Sequence, residues 1–138
     1  MPTTIIARLS AWLQQEAGGL GLREVRMDGR EPAAHPAVVL RLVGSTGNAP
    51  LVEQELELRV LAAGARPAEL LARLSELTAG IRARISYFCL QQPELRSIRW
   101  LETQYPRPAE LAGGPVLAAS VSRLAMTAIA ASAGEVSA

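Results

Sequence analysis

The chain has 138 residues, a formal net charge of +1, 14 Arg and no Lys against 13 acidic residues, and a single His and a single Cys. Its length fits one domain of ordinary size, and a composition of 49% hydrophobic and 20% charged residues excludes a disordered chain. The small net charge gives no support for a nucleic-acid or membrane-surface binder. One cysteine excludes an internal disulfide and a multi-cysteine zinc site.

The N-terminal segment predicts a short amphipathic helix. Thr3 or Thr4 can cap it, and Gly18-Gly19 is expected to end it, where a left-handed residue is usual. Its apolar residues share one helical stripe and are Ile5, Ile6, Leu9, Trp12 and Leu13. The segment lacks the basic start of a signal peptide, and no window of the chain is long and apolar enough for a membrane span. We therefore expect a soluble, cytoplasmic chain whose Trp12 belongs to the core.

Two strands separated by a turn are predicted next. Residues 22–27 favour a first strand, and Asp28-Gly29-Arg30 is a turn signal. Residues 37–43 are rich enough in β-branched side chains, and short enough, for a second strand. Residues 44–50 then predict a flexible connection of the hairpin type.

The clearest periodicity in the chain runs from residue 52 to residue 61. Apolar residues alternate there with Glu53, Glu55, Glu57 and Arg59, so a long strand is predicted with one buried face and one solvated or partner-facing one. Three glutamates invite a general acid/base or metal site, but alternate residues lie about 6.5–7 Å apart, and no His or Asp cluster supplies the missing ligands. A solvated face is the favoured interpretation, and an oligomer contact is the best functional use.

A second helix is predicted from Pro67, which suits a first helical turn. Its apolar residues recur at helical spacing and are Leu70, Leu71, Leu74, Leu77, Ile81 and Ile85, with Arg73, Glu76, Arg82 and Arg84 on the opposite side. Gly80 weakens this helix and suggests close packing or a bend. Residues 87–90 either finish the helix or cover the core.

The C-terminal third predicts two strands. Residues 97–105 alternate, with Trp100 and Glu102 on one face and Arg99 and Thr103 on the other. Residues 116–130 are Ala-rich, which favours a helix, but their Ser, Thr and Val content and flanking breaks favour a strand, which we predict. Strands grouped rather than alternating with helices indicate an α+β fold, a mostly antiparallel sheet with two helices packed on one face. We expect a single domain over residues 1–131 and a flexible tail over residues 132–138.

No catalytic constellation is visible in the sequence. His35 lies in a loop without a nucleophile or acid partner. Cys89 has apolar neighbours that should keep its thiol protonated and inert. We expect no catalytic residue, no cofactor and no metal.

The passage from Asp28-Gly29-Arg30-Glu31-Pro32 to the run Pro36-Ala37-Val38-Val39-Leu40-Arg41-Leu42-Val43-Gly44 resembles the tail terminator (minor tail protein U-like) family of long-tailed bacteriophages. Members share a short N-terminal helix, an Asp-Gly turn, a Pro-Ala-Val strand, a long alternating strand, a Pro-started helix and two closing strands, an order that covers about residues 3–130 here. The resemblance implies a ring, usually hexameric, that caps the finished tail tube, stops its polymerisation and offers a surface for head joining.

We therefore expect a structural, non-enzymatic protein of the virion tail, present in the bacterial host cytoplasm during assembly. Its partners are other copies of itself, the tail tube protein and the head-tail joining protein, while DNA passes through the ring without sequence-specific binding. A related alternative is another head-tail joining or tail completion component, or the cap of a phage-derived contractile apparatus. A different class of alternative is a small α+β enzyme or ligand-binding domain around His35 and the glutamate face. The expected assembly surface comprises Glu53, Glu55, Glu57 and Arg59, with Arg82 and Arg84 as possible partners.

Overall fold

The computed structural model describes residues 5–27, 31–47, 50–110 and 113–129. Within these ranges the elements follow in the order α1 (Ile5–Leu20), β1 (Glu24–Arg26), β2 (Ala37–Thr46), β3 (Leu51–Gly64), α2 (Pro67–Leu90), β4 (Leu95–Gln104), β5 (Ala109–Glu110) and β6 (Val116–Ile129). The predicted α+β class is confirmed. The expected cap at Thr3 or Thr4, the Asp28–Arg30 turn and the tail at residues 132–138 lie outside the described residues.

One mixed sheet carries the fold, with strand order β1-β2-β3-β6-β4 and β5 beside β6. Among the described strands, only β1 pairs in parallel, with β2, and the other pairings are antiparallel. Buried side chains of both helices join alternate residues of β2, β3 and β6 in one hydrophobic cluster. The helices therefore cover one face of the sheet, and the opposite face carries the polar residues of the same strands.

The first helix buries most of the predicted stripe, since Ile5, Ile6, Leu9 and Leu13 are all buried, while Trp12 is half-buried and packs against the core. The expected end at Gly18-Gly19 is wrong, because both residues lie inside α1 and Gly21 takes the left-handed conformation with φ of 76°. Two backbone hydrogen bonds close this end, from Gly21 N to Gly18 O (3.2 Å) and from Leu22 N to Ala17 O (2.8 Å). This pairing is the Schellman arrangement, which needs positive φ one residue past the helix.

The long alternating strand is confirmed as β3, whose Leu56, Leu58 and Val60 face the helices and are buried. The expected flexible connection over residues 44–50 is partly wrong, because β2 continues to Thr46 after a register shift between Leu42 and Gly44. A bulge of this kind adds one residue to a strand without ending its pairing. The hairpin of β2 and β3 is consequently longer than the sequence suggested.

The second helix begins at Pro67, as predicted, and residues 87–90 finish it. Gly80 lies on its exposed side, and a Cβ placed there would meet nothing within 4 Å. The expected close packing at Gly80 is therefore wrong.

Strand β4 departs from simple alternation. Trp100 pairs with Leu124 and Thr103 pairs with Ser122, so three steps on β4 match two on β6. This bulge moves Thr103 to the same face as Trp100, whereas alternation had predicted opposite faces. The predicted C-terminal strand is confirmed as β6, which pairs along its whole length with β3. None of the described helices is long and apolar enough to cross a membrane.

Candidate functional site

The strand glutamates lie on the sheet face that the helices leave uncovered. Side chains alternate between the two faces along β3. Glu53, Glu55, Glu57 and Arg59 therefore point away from the face that carries the buried Leu56. All four are half-buried or exposed. The sequence correctly predicted that these residues share a solvent-facing surface.

Each of these four side chains has an intrachain ion-pair partner. The pairs join Glu57 to Arg41 (3.1 Å), Glu55 to Arg123 (2.6 Å), Glu53 to Arg99 (3.9 Å) and Arg59 to Glu31 (3.4 Å). Pairing four carboxylates with four guanidinium groups leaves this surface close to neutral. We call the eight residues the charged face.

The ion pairs of the charged face hold its side chains in defined positions. Arg41 donates to both carboxylate oxygens of Glu57, at 3.3 and 3.1 Å, and this hydrogen bonding raises the pKa of the Arg41 guanidinium. Exposed pairs of this kind contribute about 0–1 kcal/mol each, so they order the surface more than they stabilise the fold.

Arg82 and Arg84 do not meet the strand glutamates within one chain. Both lie on α2, and α2 packs on the other face of the sheet. Arg84 instead pairs with Glu16 of α1 at 3.2 Å, which ties the two helices together. A contact between either arginine and the charged face of another copy stays a prediction.

The structure places Arg82 in a groove between α2 and β4. Its guanidinium carbon lies 4.7 Å from the centre of the Trp100 ring, and its Nη1 donates to Thr103 Oγ1 at 3.2 Å. Trp100 Nε1 in turn donates to Ser86 Oγ at 3.0 Å. The groove has a volume of about 300 Å³, and its lining residues are Ala79, Arg82, Ala83, Ser86 and Trp100.

Buried hydroxyl groups lie behind this groove. Thr103 Oγ1 is 3.0 Å from Ser122 Oγ, and Thr78 Oγ1 is 2.7 Å from Ser120 Oγ. Thr78, Ser120 and Ser122 are at most 2% exposed, so these hydrogen bonds satisfy groups that have no water to bind. These hydroxyl groups were not predicted from the sequence. Ser120 and Ser122 alternate in step with the core residue Leu124, and this spacing could have predicted that they lie on the buried face of the strand.

The only histidine and the only cysteine take no part in a reactive arrangement. His35 is half-buried in the connection between β1 and β2, and within the described ranges its side chain has no hydrogen-bond or ion-pair partner. Cys89 is 2% exposed, and burial raises the pKa of its thiol to about 11. The prediction of a protonated core thiol is confirmed.

Within the part of the chain that the structure describes, the two outer edges of the sheet are open. Among those residues, β2 from Leu40 to Thr46 pairs with β3 alone, because β1 covers only residues 37–39. On the other side, β4 pairs with no described strand other than β6. Both edges carry exposed apolar residues, Leu42 and Val43 on β2 and Leu101 on β4. Open strand edges with apolar side chains are suited to pairing with another chain.

Among the described residues, no group of three or more His, Cys, Asp or Glu side chains is arranged to hold a metal ion. Comparison with known proteins gives no assignment, since no family model matches the chain and no curated protein matches it significantly.

Proposed function

We propose that this protein is a structural tail terminator of a phage or prophage. Copies assemble into a ring that caps the tail tube, ends its polymerisation and provides the head-joining surface. The observation that carries the proposal is the pair of open, dissimilar sheet edges at β2 and β4.

Two different edges on one subunit support a head-to-tail contact. When the β2 edge of one copy meets the β4 edge of the next, the same contact repeats from copy to copy, and a repeating contact of this kind closes into a ring when its rotation permits. Leu42 and Val43 on one edge and Leu101 on the other supply apolar area that such a contact would bury.

The order of elements also supports the proposal. The resemblance to tail terminators implies an N-terminal helix, a strand after a Pro-Ala-Val segment, a long alternating strand, a Pro-started helix and closing strands. The corresponding elements here are α1, β2, β3, α2, and β4 with β6. In this arrangement the charged face remains available for the tube or for a neighbouring copy.

The first experiment is negative-stain electron microscopy of the purified protein, with its mass measured by light scattering after size exclusion. We expect rings with a central hole wide enough for duplex DNA and a mass that is a multiple of 14.7 kDa. A compact monomer at every concentration tested would contradict the proposal. The second step adds the rings to tubes polymerised from the tube protein of the same phage genome, where capped ends and arrested growth are expected.

Variants at the two edges test which surface closes the ring. Leu42→Arg and Leu101→Arg each place a charge on an edge and should lower the assembled mass. Leu71→Arg is the matched control, because Leu71 lies on α2 and, like Leu101, is 37% exposed. Rings that persist in both edge variants, or that are lost equally in the control, would remove the edges as the basis of assembly.

The groove at Arg82 favours a second candidate function, that of a ligand-binding domain. It differs from the enzyme or binding site expected around His35 and the glutamates, since neither lines the groove.

A further inference from the structure

The arginines of the described ranges fall into two groups. Eight of them pair with carboxylates. The five without a carboxylate partner are Arg23, Arg73, Arg82, Arg96 and Arg107, and of these Arg82 alone is half-buried, while the other four are exposed. The Arg82 nitrogens that have no hydrogen-bond partner among the described residues are not buried, so they are accessible to a ligand.

The surroundings of Arg82 fix its guanidinium without neutralising it. The Trp100 ring supports one face of the plane at 4.7 Å, and a single N–H is bound by Thr103 Oγ1. Thr103 is itself held by Ser122, which is buried. A guanidinium carries five N–H donors, so most of them are left for a ligand while the group is already oriented.

The groove beside this guanidinium is open to solvent, and its size and lining indicate which ligand suits it. About 300 Å³ is space for a short side chain or a small organic acid. The small side chains of Ala79 and Ala83 and the Trp100 ring provide an apolar wall, and Ser86 adds a hydroxyl. One guanidinium balances one negative charge, whereas phosphate groups are usually met by clusters of arginine. The planar fork of arginine matches a carboxylate in two parallel hydrogen bonds.

We propose that Arg82, supported by Trp100 and Thr103, forms a carboxylate-binding site that takes a carboxylate on a short apolar stem. The ligand is either a small organic acid or the Asp or Glu side chain of a second copy. The proposal does not depend on the protein being a tail terminator.

Nuclear magnetic resonance titration with glutarate and with N-acetyl-glutamate amide tests the site in the intact chain. The reporters are the Trp100 indole N–H and the Arg82 side-chain N–H signals, and we expect saturable shifts at millimolar ligand. Arg82→Gln should weaken binding about ten- to hundredfold, because it removes a charge-assisted pair. Arg73→Gln is the matched control, since it removes the same charge from an exposed position of the same helix.

A second variant and a dilution series show whether the site binds a carboxylate in two hydrogen bonds and where that carboxylate comes from. Arg82→Lys keeps the charge but loses the fork, so weaker binding with unchanged thermal stability supports the bidentate site. If the Trp100 and Arg82 N–H signals shift when the protein is diluted without ligand, and glutarate restores their positions, the carboxylate comes from a second copy. If these signals respond only to added acid, the ligand is a small molecule. Shifts that fail to saturate, that chloride reproduces, or that persist in Arg82→Gln would overturn the proposal.

Discussion

Reversing the charge of Glu55 separates the folding role of the charged face from its role in assembly. Glu55 Oε2 lies 2.6 Å from Arg123 Nη1, with the two side chains 32% and 42% exposed. An exposed pair of this kind is worth about 0.2–1 kcal/mol, and like charges at neighbouring positions of adjacent strands cost a similar amount. Glu55→Arg should therefore lower the free energy of unfolding by about 0.5–2 kcal/mol.

The assay is urea unfolding at one fixed protein concentration, because assembly itself adds to apparent stability. The loss should shrink at about 1 M salt, where the Debye length falls to about 3 Å. The double variant Glu55→Arg with Arg123→Glu restores this opposite-charge pair but places a second carboxylate directly opposite Glu57, so it should recover part of the lost stability. Unchanged stability in Glu55→Arg, or no recovery in the double variant, would refute the intrachain pairing.

The same variants report on assembly when their masses are measured by light scattering. A neighbouring copy or a tube that contacts this face must match the positions of its charges. We therefore expect Glu55→Arg and the equivalent Glu57→Arg to weaken assembly. The charge-swapped double variant should regain part of its stability without regaining full assembly. Normal rings in all three variants would show that the charged face is not an assembly surface.

Three further predictions concern the fold. Ser120→Ala should cost about 1–3 kcal/mol by leaving the buried Thr78 hydroxyl unpaired, and adding Thr78→Val should cost less than the sum of the single changes, as measured by a double-mutant cycle in urea. Gly80→Ala should stabilise the protein by about 0.5–1 kcal/mol, because the position is helical and exposed, and thermal unfolding checks this; a loss of stability would mean that Gly80 is packed. Cys89 should resist iodoacetamide at pH 8 in the native protein and react on unfolding. Because the unfolded thiol ionises near its ordinary pKa and the folded one near 11, stability should fall as the pH rises from about 9.

Local periodicity was sufficient to predict the main elements. The buried stripe from Ile5 to Leu13 follows the helical repeat of 3.6 residues, and the alternation along β3 follows the strand repeat of 2 residues. In both elements the apolar residues recur at this spacing because they share one buried face. Pro67 marked the start of α2 in the same way. These features depend on neighbours in sequence, which is why the sequence alone contained them.

Features that depend on pairing between distant segments were not predictable. The bulges after Leu42 and Trp100 arise from register with β3 and β6, and the second one brings Thr103 under Arg82. The arginine partners of the strand glutamates come from β2, β4 and β6, and no spacing rule within β3 identifies them. The groove at Arg82 is likewise formed by segments about twenty residues apart.

The most direct test of the account is the mass and shape of the purified protein in solution. A ring with a central hole, abolished by Leu42→Arg or Leu101→Arg and retained in Leu71→Arg, is the predicted result. A monodisperse monomer of 14.7 kDa, unchanged at high protein concentration, would contradict assembly through the open edges and with it the proposed role at the end of a tail tube.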